Sequence, residues 1–178
     1  MKVVRMKNSE ISRIGEIDCS EHATSDYLYR DGKLERREVD WHVPRWSTDG
    51  HPERSVQSRI KAWKPLLDKG GTMLGVFDQD KLVGFVIYRP DLTEDTAQLA
   101  VLYVSNGYRG RGIGSALTEK VIEMAITDGA WKLYVSATPS VPTVDFYRNR
   151  GFKLAEKVNK ELYELEPEDI HMIMELQR

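Results

Sequence analysis

The stretch YRGRGIGSAL, residues 108–117, alternates three glycines with two arginines and then runs into an apolar segment of helical spacing. A helix start already attracts anions, because its first N–H groups have no partner within the helix and its dipole is positive there. Glycines at 110, 112 and 114 let a ligand come close to that backbone. Two fixed positive charges, Arg109 and Arg111, flank the approach. The stretch therefore reads as a phosphate cradle at the mouth of a helix.

Working outward, QLAVLYV (98–104) precedes the cradle as an apolar strand, and the helix after it carries Ile113, Leu117, Val121, Met124 and Ala125 on one face. Gly129 is placed to end that helix as its C′ residue. KLYVSA (132–137) follows as another strand, so 98–137 is a strand–helix–strand unit and implies a parallel pair. Upstream, 72–77 and 81–88 form a hairpin across DQDK, and the continuous apolar run LVGFVIY (82–88) predicts a strand buried on both faces. Downstream, a helix starts near Thr138-Pro139 or Ser140 and ends at Gly151, with strands over 152–156 and 170–176. Residues 3–6 suit a first strand. Ile11, Ile14 and Ile17 suggest a short amphipathic helix, and 53–69 a longer one stopped by Gly70-Gly71. The stretch 27–50 mixes periodicities, with Asp31-Gly32 as a candidate hairpin turn. The expected fold class is α/β (α+β), a mixed and mostly antiparallel sheet flanked by helices.

The chain of 178 residues suits one domain spanning 1–178. Its 26 basic and 28 acidic residues leave a formal net charge of −2, which offers nucleic acid no bulk electrostatic attraction. Cys19 is the single cysteine, so neither a disulfide framework nor a cysteine zinc cluster is expected, and a cytoplasmic setting fits. The first residues lack the apolar core of a signal peptide, and the apolar runs are too short to span a bilayer, so no membrane role is expected. His22, His42, His51 and His171 show no metal-ligand spacing, and no metal is assigned.

Three phosphate binders compete for the cradle. A P-loop needs a lysine and a hydroxyl after its last glycine, but Ser115 and Ala116 follow Gly114. A dinucleotide-binding turn needs a third glycine where Ser115 stands and an acid at the end of the next strand, which instead ends Ser136-Ala137-Thr138. The third fits better. Arg109-Gly110-Arg111-Gly112-Ile113-Gly114 resembles the R/Q-x-x-G-x-G/A signature of the GNAT superfamily of acetyl-CoA-dependent N-acyltransferases. LYV (102–104) before it and DFYRNRGF (145–152) after it resemble flanking parts of the same family, and the order of elements agrees from about 72 to 176.

That resemblance implies the GNAT fold, with a parallel strand pair splayed apart near a bulge, and acetyl transfer from acetyl-CoA directly to a primary amine. It implies a cofactor-binding set of Leu102, Val104, Arg109, Gly110, Arg111, Gly112, Gly114, Ser115 and Tyr147, in which backbone N–H groups hold the pyrophosphate. The Val104 N–H would polarise the thioester carbonyl, and Tyr147 would protonate the leaving thiolate. The general base is not legible. Some members place a glutamate where this chain has Gln98, which cannot take a proton; Glu94, Asp95 and Tyr103 are neighbours in sequence. Ser140 stands where many members have asparagine and suits a helix N-cap.

The resemblance puts the acceptor pocket in the segment before the hairpin, which holds Tyr27, Tyr29, His42, Trp41, Trp46 and Trp63 beside Asp26, Glu38 and Asp40. Such residues suit a cationic amine, in a small molecule or a peptide. A monomer or homodimer is expected. The rival from another class is a non-catalytic acyl-CoA sensor, an idea Gln98 sustains.

Overall fold

The computed structural model describes residues 2–177. Among them, seven strands form one twisted sheet in the order β1-β4-β5-β6-β7-β9-β8. These are β1 (Val3–Arg5), β4 (Thr72–Asp78), β5 (Lys81–Arg89), β6 (Thr96–Val104), β7 (Lys132–Ala137), β8 (Lys153–Leu154) and β9 (Ile170–Glu175). A separate hairpin pairs β2 (Glu21–Arg30) with β3 (Lys33–Val43). The helices are α1 (Val56–Asp68), α2 (Ile113–Thr127), α3 (Val141–Arg148) and α4 (Lys160–Leu165).

The sheet is buried on both faces, as its unbroken apolar strands require. Val83, Val86 and Tyr88 of β5 join a core under α2 and α3, where Ile113, Leu117, Val121 and Ala125 repeat every fourth residue. Leu82, Phe85 and Ile87 face the other way, into a core with α1 and the segment Asn8–Glu16. That segment is a 3-10 helix, where an ordinary amphipathic helix was expected. The reason is in the spacing: Ile11, Ile14 and Ile17 recur every three residues, the 3-10 repeat, and all three are buried.

Three other expectations shift. The ambiguous stretch 27–50 is largely the β2–β3 hairpin, and Asp31 and Gly32 turn it with φ of 49° and 81°, both positive as a type I′ turn demands. Helix α1 begins after Ser55, whose side chain accepts the Ser58 N–H, so its start falls later than residue 53. The strand expected over 152–156 shrinks to Lys153–Leu154, and the short helix α4, capped by Asn159, has no counterpart in the sequence reading.

Among the described residues β6 and β7 form the only parallel pair, and they pair over just three positions, Thr96–Gln98 against Lys132–Tyr134. Beyond Gln98 the strands part. β6 stays with β5 but slips register between Ile87 and Tyr88, leaving Ala100 as an extra, bulged residue. β7 stays with β9 up to Ala137. The splayed pair and bulge implied by the resemblance are both present. No helix of the described residues is long and apolar enough to cross a membrane.

The close fit of α2 on the sheet rests on Gly84. A Cβ there would sit 2.7 Å from Ile113 Cγ2 and 3.4 Å from the Tyr103 carbonyl oxygen. Gly84→Val is expected to destabilise the fold by about 1–3 kcal/mol through overpacking. A thermal melt checks this, and an unchanged midpoint would mean α2 tolerates displacement.

Candidate active site

The V between β6 and β7 opens into a cavity of about 570 Å³. Its walls include Leu99–Val104 of β6, Val135–Ala137 of β7, the first turn of α2, Phe146 and Tyr147 of α3, and Arg150 just after that helix. The parting of two hydrogen-bonded strands leaves backbone groups without a strand partner. Along β6 alternate N–H groups point to opposite edges. The Ser105 N–H reaches Val83 O on β5 at 2.9 Å, so those of Leu102 and Val104 face the other edge, into the V.

The cradle sits at one end of this opening. Gly112 is the N-cap of α2 with φ 79°, and Gly110 has φ 75°; both leave open space where a Cβ would be. No side chain caps α2. Its first N–H groups are therefore turned outward at the positive end of a fifteen-residue helix. Gly114 permits a tight approach, since a Cβ there would lie 3.2 Å from the Phe146 ring. Arg150 adds a part the sequence did not mark. Its guanidinium stacks over Phe146 at 3.6 Å, donates to the Phe146 carbonyl at 2.8 Å and also donates to the Ser115 hydroxyl.

Of the cofactor set read from sequence, Leu102, Val104, Arg109, Gly110, Gly112, Gly114, Ser115 and Tyr147 line the cavity. Arg111 does not; it lies over the Tyr108 ring at 5.1 Å, on the outside. Arg109 donates from Nε to the Val104 carbonyl at 3.2 Å, tying the cradle to the end of β6. Tyr147 is 4% exposed, and its hydroxyl makes none of the described hydrogen bonds. Burial holds its pKa well above the usual phenol range.

A model of the acetyltransferase (GNAT) family matches residues 34–152. The chain belongs to this family. Mycothiol acetyltransferase from Corynebacterium glutamicum is 32% identical over 124 residues, which cover 66% of this chain and 38% of that protein's length. The fold resembles that of nourseothricin acetyltransferase at a TM-score of 0.73 and 20% identity, over 99% of this chain and 98% of the other. It also resembles the PaiA N-acetyltransferase from Thermoplasma acidophilum, solved with coenzyme A, at 0.61 and 14%, over 98% of both chains.

The neighbours considered for the base fare differently in this GNAT chain. Asp95 is held down to about 2 by hydrogen bonds from Thr96, Lys132 and Thr93 and does not line the cavity. Glu94 shares its loop and does not line the cavity either. Tyr103 does line it, but burial pushes it up to about 12, so it stays protonated near neutrality. Gln98 is 4% exposed with its Oε1 unpartnered. Cys19 reaches the cavity wall, yet burial raises its thiol, which leaves it a poor nucleophile.

Of the aromatic and acidic residues proposed for the acceptor side, Trp63 alone lines the cavity. Trp46 backs it, edge-on to Trp63 at 5.6 Å and to Tyr103 at 4.9 Å. Asp26 is taken up by a two-pronged bond with Arg37 at 3.0 and 2.8 Å. Tyr27 docks the hairpin on α3, its N–H donating to Pro139 O at 2.8 Å and its hydroxyl to Asp145 at 3.1 Å. Ser140 is the α3 N-cap residue as expected, although its hydroxyl donates to Thr143 Oγ1 at 2.9 Å and caps no N–H. Strand pairing also brings together histidines distant in sequence. His22 stacks on His42 at 3.9 Å with Asp40 beside both, an exposed trio compact enough for a metal ion. Both Nε2 atoms lie near the same carboxylate oxygen, Asp40 Oδ1, at 2.7 Å from His22 and 3.6 Å from His42.

Sequence reading missed Arg59, Glu166 and Asp169, which also line the cavity. Nothing local marks them, since α1 and the α4–β9 loop are far from the cradle in the chain. Burial and the nearby Glu166 carboxylate push Asp169 up from 3.8 to about 7. Burial also raises Glu166, opposed by the Ser136 hydroxyl and by Arg59. By surface area Glu166 is exposed and Asp169 half-buried, and both line the cavity. A carboxyl raised on folding binds its proton more tightly in the native state, so its contribution to stability is lost as pH rises from 3.8 through about 7. Asp169→Asn is therefore expected to raise the melting temperature by a few degrees at pH 8, with the gain fading toward pH 4. Equal shifts at both pH values would contradict the raised carboxyl.

Proposed function

We propose that the protein transfers an acetyl group from acetyl-CoA directly to a primary amine, and that one domain spanning 1–178 carries both half-sites. One observation carries the reading: the unpartnered edge of β6 and the uncapped start of α2 open into the same cavity. The α2 N–H groups, with Ser115 and the charge of Arg109, suit a pyrophosphate. The pantetheine, a short amide chain, would complete the broken sheet in the V, bonding the free edge at Leu102 and Val104. This sets the thioester oxygen against the Val104 N–H, where a preorganised donor is worth roughly 3 kcal/mol in acyl transfer. Tyr147, buried and protonated, then gives its proton to the departing sulfur. With Cys19 held protonated, transfer through an acyl-cysteine finds no support.

The nourseothricin and mycothiol acetyltransferases make a small molecule the favoured acceptor. Calorimetric titration with acetyl-CoA, with ATP and NAD as controls, tests the donor half. Micromolar binding selective for acetyl-CoA supports it; preference for ATP or NAD, or no binding, removes it.

A further inference from the structure

We propose that Asp169 is the base that takes the proton from the acceptor's ammonium group, and that Glu166 beside it binds that ammonium, so the acceptor is a cationic amine. This rests on the acetyl-transfer reading and supplies the group that Gln98 cannot. The topology sets the placement. Asp169 directly precedes Ile170, which pairs with Ala137 at the free end of β7, so the carboxylate stands at the mouth of the V. It shares the cavity with the Tyr147 hydroxyl, a group nine-tenths buried that is open to the cavity and makes none of the described hydrogen bonds.

The loop carrying the two acids is held in place. The Asp169 N–H donates to the Glu166 carbonyl at 3.2 Å, and that carbonyl lies 3.2 Å from His171 Nε2. On the other side of the ring, Nδ1 lies 3.0 Å from the Tyr134 hydroxyl, which itself accepts the Asn159 N–H at 3.1 Å. One assignment satisfies this chain: Tyr134 donates to Nδ1, and Nε2–H donates to Glu166. Burial keeps His171 neutral, in line with it.

The two acids have different surroundings. Arg59 and the Ser136 hydroxyl favour the charged form of Glu166, whereas Asp169 answers chiefly to burial and to Glu166 itself. Poised at about 7, Asp169 can accept a proton from an ammonium and release it again near neutrality. Trp63 and Tyr103 give the cation apolar and aromatic walls.

The protons balance as follows. R–NH3+ gives one to the Asp169 carboxylate, and the neutral nitrogen forms its bond to the thioester carbon. The carbon–sulfur bond breaks, its electron pair staying on sulfur, which takes the Tyr147 proton. The second proton leaving nitrogen restores Tyr147. R–NH3+ and acetyl-S-CoA become R–NH–COCH3, CoA-SH and H+, the last released from Asp169 to water.

The test measures CoA thiol release with nourseothricin, spermidine and lysine amide as acceptors, across pH 5.5–9, beside acetyl-CoA calorimetry. For the wild type, kcat/KM should rise through an inflection near 7. The other titratable or charged groups that line the cavity with Asp169 are Arg59 from α1, Tyr103 from β6, Tyr108 and Arg109 from the cradle, Tyr147 from α3, Arg150 just after it, Glu21 from β2, Cys19, and Glu166 in its own loop. The variants therefore assign the inflection. Asp169→Asn should lose it and about 100-fold in kcat, with acetyl-CoA affinity unchanged. Glu166→Gln should raise the KM for the amine about tenfold, leave kcat within a few-fold and move the inflection down, since a like charge is removed. An unchanged profile in Asp169→Asn overturns the proposal, as does failure of all three amines to bind or react while acetyl-CoA binds. Loss of acetyl-CoA binding by the wild type would strike the donor reading instead.

Discussion

Gly112→Val is expected to weaken acetyl-CoA binding by about 100-fold or more. At φ 79° the N-cap of α2 is in the left-handed region, where a β-branched residue costs about 1–3 kcal/mol. The chain escapes that cost by turning the peptide, and the peptide is what aims the first N–H groups of α2. Hydrogen bonds to a charged partner are each worth about 1.5–3 kcal/mol. Losing the alignment of two removes about 3 kcal/mol, and every 1.4 kcal/mol is tenfold in affinity. No side chain would touch a Cβ at this position, so packing elsewhere is spared. Gly107→Ala is the matched control: that glycine also has open space, lacks a positive φ and should bind normally. Calorimetry on the two variants decides. Equal affinities would mean that the ligand does not use the α2 terminus.

Tyr147→Phe is expected to lower kcat by about 100-fold, at the lower end of what a positioned acid contributes, while acetyl-CoA affinity stays within a few-fold. The substitution removes one oxygen and keeps the ring, which packs edge-on against Phe146 at 5.1 Å and Phe152 at 5.4 Å. Because the hydroxyl has no partner among the described residues, the fold loses no hydrogen bond and the melting temperature should hold. A loss of turnover without a loss of binding separates an enzyme from an acyl-CoA sensor, in which no rate depends on this oxygen. Full activity in the phenylalanine variant would remove Tyr147 from the chemistry and leave the thiolate to be protonated by water.

What local chemistry governs was readable along the chain. The cradle's glycines, the fourfold stripe of α2, the apolar run of β5 and the Asp31-Gly32 turn each express a rule acting over a few residues, and each stands in the structure where it was read. The 3-10 segment at Asn8–Glu16 shows the same legibility with a wrong first reading, since its every-third-residue isoleucines already carried the period. Other features are set by pairing between distant strands. The V exists because β7 leaves β6 after Gln98 to stay with β9, and no residue near Gln98 announces that departure. His22 meets His42 only because their strands pair in that register. Arg150 reaches the cradle because the end of α3 brings Phe146 beside Gly114 at the start of α2, and Arg111, which the motif includes, turns away onto Tyr108. Asp169 owes its raised pKa to burial beside Glu166 at the mouth of the V. In the sequence both are ordinary surface acids. Short-range stereochemistry thus determined the donor cradle in the sequence itself. The acceptor side and its carboxylates were decided only by the tertiary structure, because burial and proximity belong to packing between elements far apart in the chain.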